Sequence, residues 1–66
     1  MSEIKYFTVE EWDNDYNAFC QTYVLGAESH EDARKIAMEC SGSDYDYMVR
    51  DEVSSCVAEN LPELKH

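Results

Sequence analysis

From Ile4 to Trp12 the run IKYFTVEEW is rich in β-branched and aromatic residues and shows no apolar stripe at helical spacing, which predicts a strand. Asp13, Asn14, Asp15, Tyr16 and Asn17 then concentrate side chains that tolerate turn geometry, so the chain is expected to reverse there as a hairpin. The returning run, AFCQTYVLGA from Ala18 to Ala27, places Phe19, Tyr23, Leu25 and Ala27 on one face and Cys20, Thr22 and Val24 on the other, with Gln21 falling on the more apolar side. A slip by one residue would exchange the two faces, so the larger apolar set defines the register.

Ser29 is positioned as a helix N-cap, because its side-chain oxygen can accept from a free amide of the first turn while Glu31 and Asp32 complement the positive helix end. Ala33, Ile36, Ala37 and Cys40 follow at the spacing of a core-facing stripe, and Arg34, Lys35 and Glu39 lie off it. Gly42 is expected to end this helix in the left-handed conformation. Beyond it, DYDYMVRDEV from Asp44 to Val53 alternates Tyr45, Tyr47, Val49 and Val53 against Asp46, Met48, Arg50 and Glu52, which predicts a third strand. The tail SSCVAENLPELKH fits either a short fourth strand or a helical turn, with Pro62 ending both and the last few residues fraying.

The order β-β-α-β predicts an α+β fold across residues 1–66, a single domain with a small antiparallel sheet and one helix packed on one face. At 66 residues such a domain buries only about 60% of the surface its unfolded chain exposes, so the core must be thin. The 44% hydrophobic and 12% aromatic content nevertheless excludes a disordered acidic tail.

Charge changes the picture most. Fifteen Asp and Glu against five Lys and Arg give a formal net charge of −10, beyond the magnitude of about 2–8 typical of a small domain tuned for solubility. This repels nucleic acid and anionic membranes and favours basic partners. Three cysteines, Cys20, Cys40 and Cys56, and a start at Met1 without an apolar signal run point to the reduced cytoplasm.

Candidate chemistry is sparse. Asp13, Asp15 and Asn17 mimic the first ligands of a calcium loop, but Ala18 stands at the glycine position and Val24 at the glutamate position, leaving a plain polar turn. Cys20, Cys40, Cys56, His30 and His66 contain no paired spacing that would hold zinc. His30 falls in an exposed first helical turn and His66 at the end of the chain, so neither is placed to activate a nucleophile. The expectation is a non-enzymatic protein with no metal or other cofactor.

Acidic residues recur around the hairpin and flank the third strand, where same-face carboxylates such as Asp44 and Asp46 stand roughly 6.6–6.8 Å apart. Tyr6, Trp12, Tyr16, Tyr23, Tyr45 and Tyr47 add more aromatic rings than a thin core hides, and such rings commonly anchor interfaces. The candidate partner-binding set is therefore Glu10, Glu11, Trp12, Asp13, Asp15, Tyr16, Asp44, Tyr45, Asp46, Asp51 and Glu52. The alternative is that these carboxylates are ordinary solvated faces, with Glu31 and Asp32 as helix-start residues.

With its small size and lack of a catalytic constellation, the segment YVLGAESHEDARKIAMEC resembles small phage- and mobile-element-encoded proteins, including anti-CRISPR proteins and DNA mimics. The resemblance covers about the middle quarter of the chain, a strand–cap–helix pattern, and no family residue is carried over from it. It implies a viral inhibitor, acting in the host-cell cytoplasm, whose acidic surface blocks the basic nucleic-acid-binding groove of a host nuclease or CRISPR effector by DNA mimicry. The competing expectation is an acidic regulatory or structural subunit, able to form a homodimer through a sheet edge or aromatic patch, whose charge serves solubility.

Overall fold

Asp13 closes the hairpin: its Oδ1 accepts from the backbone N–H of Asp15 at 2.9 Å and of Tyr16 at 3.3 Å. Asn17 completes the reversal at φ 50°, in the left-handed region that asparagine enters more readily than most side chains. In the computed structural model, which describes residues 3–64, this turn joins β1 (Lys5–Asp13) to β2 (Ala18–Ala27). Helix α1 (His30–Cys40), β3 (Tyr45–Val53) and a short α2 (Ser55–Ala58) follow. The sheet order is β2-β1-β3 with both pairings antiparallel, so the fold is the expected α+β.

The most apolar stretch of β1 takes the centre, where both neighbours shield it: Phe7 is 2% and Val9 0% exposed. With Leu25, Ala27, Ala33, Ala37 and Leu64 they form the core, against which Tyr23, Ile36, Cys40, Tyr47 and Val49 pack. The helix contributes alanines at its two most buried positions, Ala33 and Ala37, and small side chains let its axis approach the sheet closely. Ser29 caps it as expected, accepting from Asp32 N–H at 3.1 Å. The other end differs from expectation. Neither glycine has positive φ, and Ser41 terminates the helix instead, with Oγ donating to Ala37 O at 2.9 Å and accepting from Tyr47 N–H at 3.0 Å. Gly42 N–H donates to Tyr45 O at 2.9 Å.

Two β-bulges correct the simple alternation of the strands. One falls where Glu11 pairs with Gln21 but Trp12 pairs with Phe19, which leaves Cys20 as the extra residue and turns Phe19 away from the Tyr23, Leu25 and Ala27 face. The other falls between Phe7 and Val9, opposite Arg50 and Asp51. There the Thr8 hydroxyl accepts from Asp51 N–H at 3.0 Å and donates to Asp51 O at 3.3 Å, replacing ladder bonds. The shift places Val53 opposite Tyr6 and Glu52 opposite Phe7, so Val53 leaves the Tyr45, Tyr47 and Val49 face and Glu52 joins it.

The tail realises both of its sequence expectations in part. Ser54 caps the four-residue α2 by accepting from Val57 N–H at 3.4 Å. The chain then runs beside β2, forming one parallel bridge between Val24 and Glu63 through Val24 N–H to Pro62 O and Leu64 N–H to Val24 O, both 2.8 Å. The last few residues are expected to fray, yet Leu64 is buried and docked; the rest of that expectation falls on Lys65 and His66, outside the described residues. Among the described residues no helix is long and apolar enough to cross a membrane.

Candidate functional site: the acidic end of the sheet

The hairpin and the start of β3 meet at one end of the sheet. Glu10 pairs with Met48, Glu11 with Tyr47, Trp12 with Asp46 and Asp13 with Tyr45. Asn14 ties the turn to the α1–β3 connection, its backbone N–H donating to Asp44 O at 2.9 Å and its side-chain amide to Gly42 O at 3.0 Å. Asp15 and Tyr16 occupy the tip, where Tyr16 is 82% exposed. Of the sequence-derived set, Glu10, Glu11, Trp12, Asp13, Asp15, Tyr16, Asp44, Tyr45 and Asp46 are thus gathered together.

Asp51 and Glu52 are not. Glu52 faces Phe7 toward the other end of the sheet, and six residues of strand separate it from Asp46, a distance of about 20 Å. Asp51 sits at the bulge held by Thr8. A bulge and charged side chains are common devices for keeping an edge strand from pairing with another sheet, and β3 is such an edge. Ser41 and Gly42 shield its start further by bonding Tyr47 N–H and Tyr45 O.

The gathered residues divide between the two faces of the sheet. On the α1 side, beyond the helix end, stand Glu11, Asp13, Tyr45 and Tyr47, and Tyr47 donates its hydroxyl to Glu11 Oε2 at 2.8 Å while its ring meets Tyr23 edge-on at 6.3 Å. On the opposite side stand Glu10, Trp12 and Asp46. Trp12 Nε1 donates to Glu10 Oε1 at 3.2 Å, its ring meets Phe19 edge-on at 5.8 Å, and Arg50 Nε lies 3.7 Å from Glu10 Oε2. Among the described residues this is the ion pair of the acidic end; its arginine side chain is 53% exposed, so the pair is weak, and it balances one of the six carboxylates gathered here.

Three weak acids here are shifted upward, Tyr45 chiefly by neighbouring charge and Cys20 and Tyr47 chiefly by desolvation. The carboxylate of Asp13, then the Cys20 thiol, raises the Tyr45 hydroxyl above the usual tyrosine range. Partial desolvation, followed by the charges of Glu11 and Asp13, pushes the Cys20 thiol up even though the residue as a whole is exposed. Burial, then the hydrogen bond to Glu11, raises Tyr47 in the same direction. All three resist becoming another anion at this end, and the charge of Asp13 that raises Tyr45 also favours an approaching cation.

Phe19, Met48 and Arg50 belong to this end but were outside the sequence-derived set. Met48 and Arg50 were readable as the face opposite Tyr47 and Val49; Phe19 was hidden by the bulge. Its one trace was Gln21, a polar residue inside an otherwise apolar set. Among the described residues no group of His, Cys, Asp and Glu is arranged to hold a metal ion. A separate cleft of ≈ 470 Å³ opens at the other end, between the tail and the sheet, lined by Ile4, Tyr6, Val24, Gly26, Ala58 and Leu61 among others. No protein-family model, curated protein or solved structure matches this chain.

Proposed function

We infer that this chain is a non-enzymatic, anti-CRISPR-like inhibitor that presents its acidic hairpin end to the basic nucleic-acid-binding surface of a host nuclease or CRISPR effector. The observation that supports this reading best is the convergence of Glu10, Glu11, Asp13, Asp15, Asp44 and Asp46 on one end of a folded scaffold, where Arg50 pairs with Glu10. Strand pairing sets Glu11 and Asp13 about 7 Å apart along one face and Glu10 diagonally from Asp46, about 7–8 Å away, on the other, and these fixed anions are what a groove built for a phosphate backbone would accept.

The reading is tested by DNA-binding and cleavage assays with purified CRISPR effectors and nucleases. For an effector that is inhibited, the chain should compete with DNA, so that inhibition weakens as DNA is raised, and its affinity should fall steeply as salt is raised. Inhibition that ignores both would remove mimicry and leave the second class of function, an interaction subunit whose charge serves solubility.

A further inference from the structure

The sheet has two faces, and α1 covers one of them. At one end of the second face the tail lies over Tyr6 and Val24. At the acidic end this face stays uncovered, with Phe19 and Met48 each 49% exposed beside the half-buried Trp12 and Thr22. Here large apolar side chains stand in water beside Glu10 and Asp46, with Arg50 paired to Glu10 at the edge. An apolar patch rimmed by polar residues is a common sign of an interaction surface.

We propose that this bare face, centred on Trp12, Phe19 and Met48, docks a cationic amphipathic helix of a partner protein. Charge selects the occupant. A second copy would bring another net −10 against the same acidic end, whereas lysines and arginines flanking an apolar stripe would meet Asp46 on this face and the carboxylates of the adjoining hairpin. Shape agrees, since a helix laid across the open half would complete the second layer as α1 completes the first. Glu10 holds the Trp12 indole and Phe19 meets its ring, so the patch is ordered before anything binds, which lowers the entropic cost of docking. The inference rests on the acidic-end reading and adds that part of the contact is apolar and has a defined face.

The chain holds one tryptophan, so fluorescence reports on this face directly. The probes are a synthetic Leu/Lys peptide with its leucines at helical stripe spacing and a scrambled peptide of identical composition. The striped peptide should bind about tenfold or more tightly than the scrambled one, as burial of one large apolar side chain predicts, and should shift Trp12 emission to the blue. Phe19→Thr and Met48→Thr, at half-exposed strand positions where threonine is well accommodated, should remove that preference while the far-UV circular dichroism stays unchanged. Equal affinity for the two peptides without an emission shift would overturn the docking inference and leave the acidic-end reading standing. Failure of both peptides to bind at low salt would overturn both. Sedimentation showing a dimer that buries Trp12 would assign the face to a second copy and equally refute the proposal.

Discussion

Replacing Phe7 with alanine is expected to leave the chain largely unfolded in water at room temperature. Phe7 is 2% exposed on the central strand, packs in the cluster with Val9, Leu25 and Ala33, and meets the His30 ring edge-on at 5.5 Å. Truncating a buried phenylalanine costs about 3–5 kcal/mol. A chain of 66 residues sits near the low end of the usual stability of about 5–15 kcal/mol, and its net charge of −10 lowers it further through self-repulsion. Urea titration followed by circular dichroism should find no cooperative transition for Phe7→Ala and a modestly lowered midpoint for Phe7→Leu. A midpoint for the alanine variant close to that of the parent would show that the core is centred elsewhere.

The second large effect concerns binding. Glu10→Gln, Glu11→Gln, Asp13→Asn and Asp15→Asn, made together, remove four charges from the hairpin end while keeping an acceptor oxygen at each position. The Tyr47 hydroxyl and the turn amides that now bond Glu11 and Asp13 would retain their partners. Affinity for an inhibited effector should fall on the order of a hundredfold, from under 1 kcal/mol per lost charge contact. The pair Asp51→Asn and Glu52→Gln should change it by less than about threefold, because both side chains lie away from the hairpin end. The two measurements together separate position from total charge. If both variants lost affinity in proportion to the charge removed, acidity alone would be the determinant and the geometry of the end irrelevant.

Much of the fold was legible because its signals are local. β2 was read to the residue, β1 and β3 to within one residue at their ends, and the Ser29 cap and the Ala33, Ile36, Ala37, Cys40 stripe reported the helix. What escaped depended on partners distant in sequence. The bulge at Cys20 exists because β2 must match β1 across the hairpin, and the bulge at Arg50 and Asp51 exists because Thr8 supplies the missing bonds. Each leaves only a faint mark on its own strand, Gln21 within the apolar set of β2 and Asp51 between Val49 and Val53 in β3. Gly42 was credited with ending α1 because glycine is the usual device, yet Ser41 does so by bonding back to Ala37 and forward to Tyr47.

The site shows the same division. Residues adjacent in sequence, from Glu10 to Tyr16, could be grouped by reading alone, and their meeting with Asp44, Tyr45 and Asp46 followed from β3 pairing with β1. Asp51 and Glu52 were grouped with them as acidic residues flanking the third strand, but the two ends of a strand are carried apart at about 3.4 Å per residue. The uncovered face was invisible for a different reason: which side the tail covers is decided by the docking of Leu64 and the bridge at Val24, and nothing in residues 54–64 states that in advance.

The claim that the acidic hairpin end is the contact surface is tested most directly by hydrogen–deuterium exchange on the complex with an inhibited effector. Slowed exchange should be confined to the turn, the adjoining ends of β1 and β2, and the first residues of β3, with α1 unchanged from the unbound chain. New protection concentrated on the solvent side of α1, around Arg34, Lys35 and Met38, with the hairpin left exchanging as before, would contradict the account.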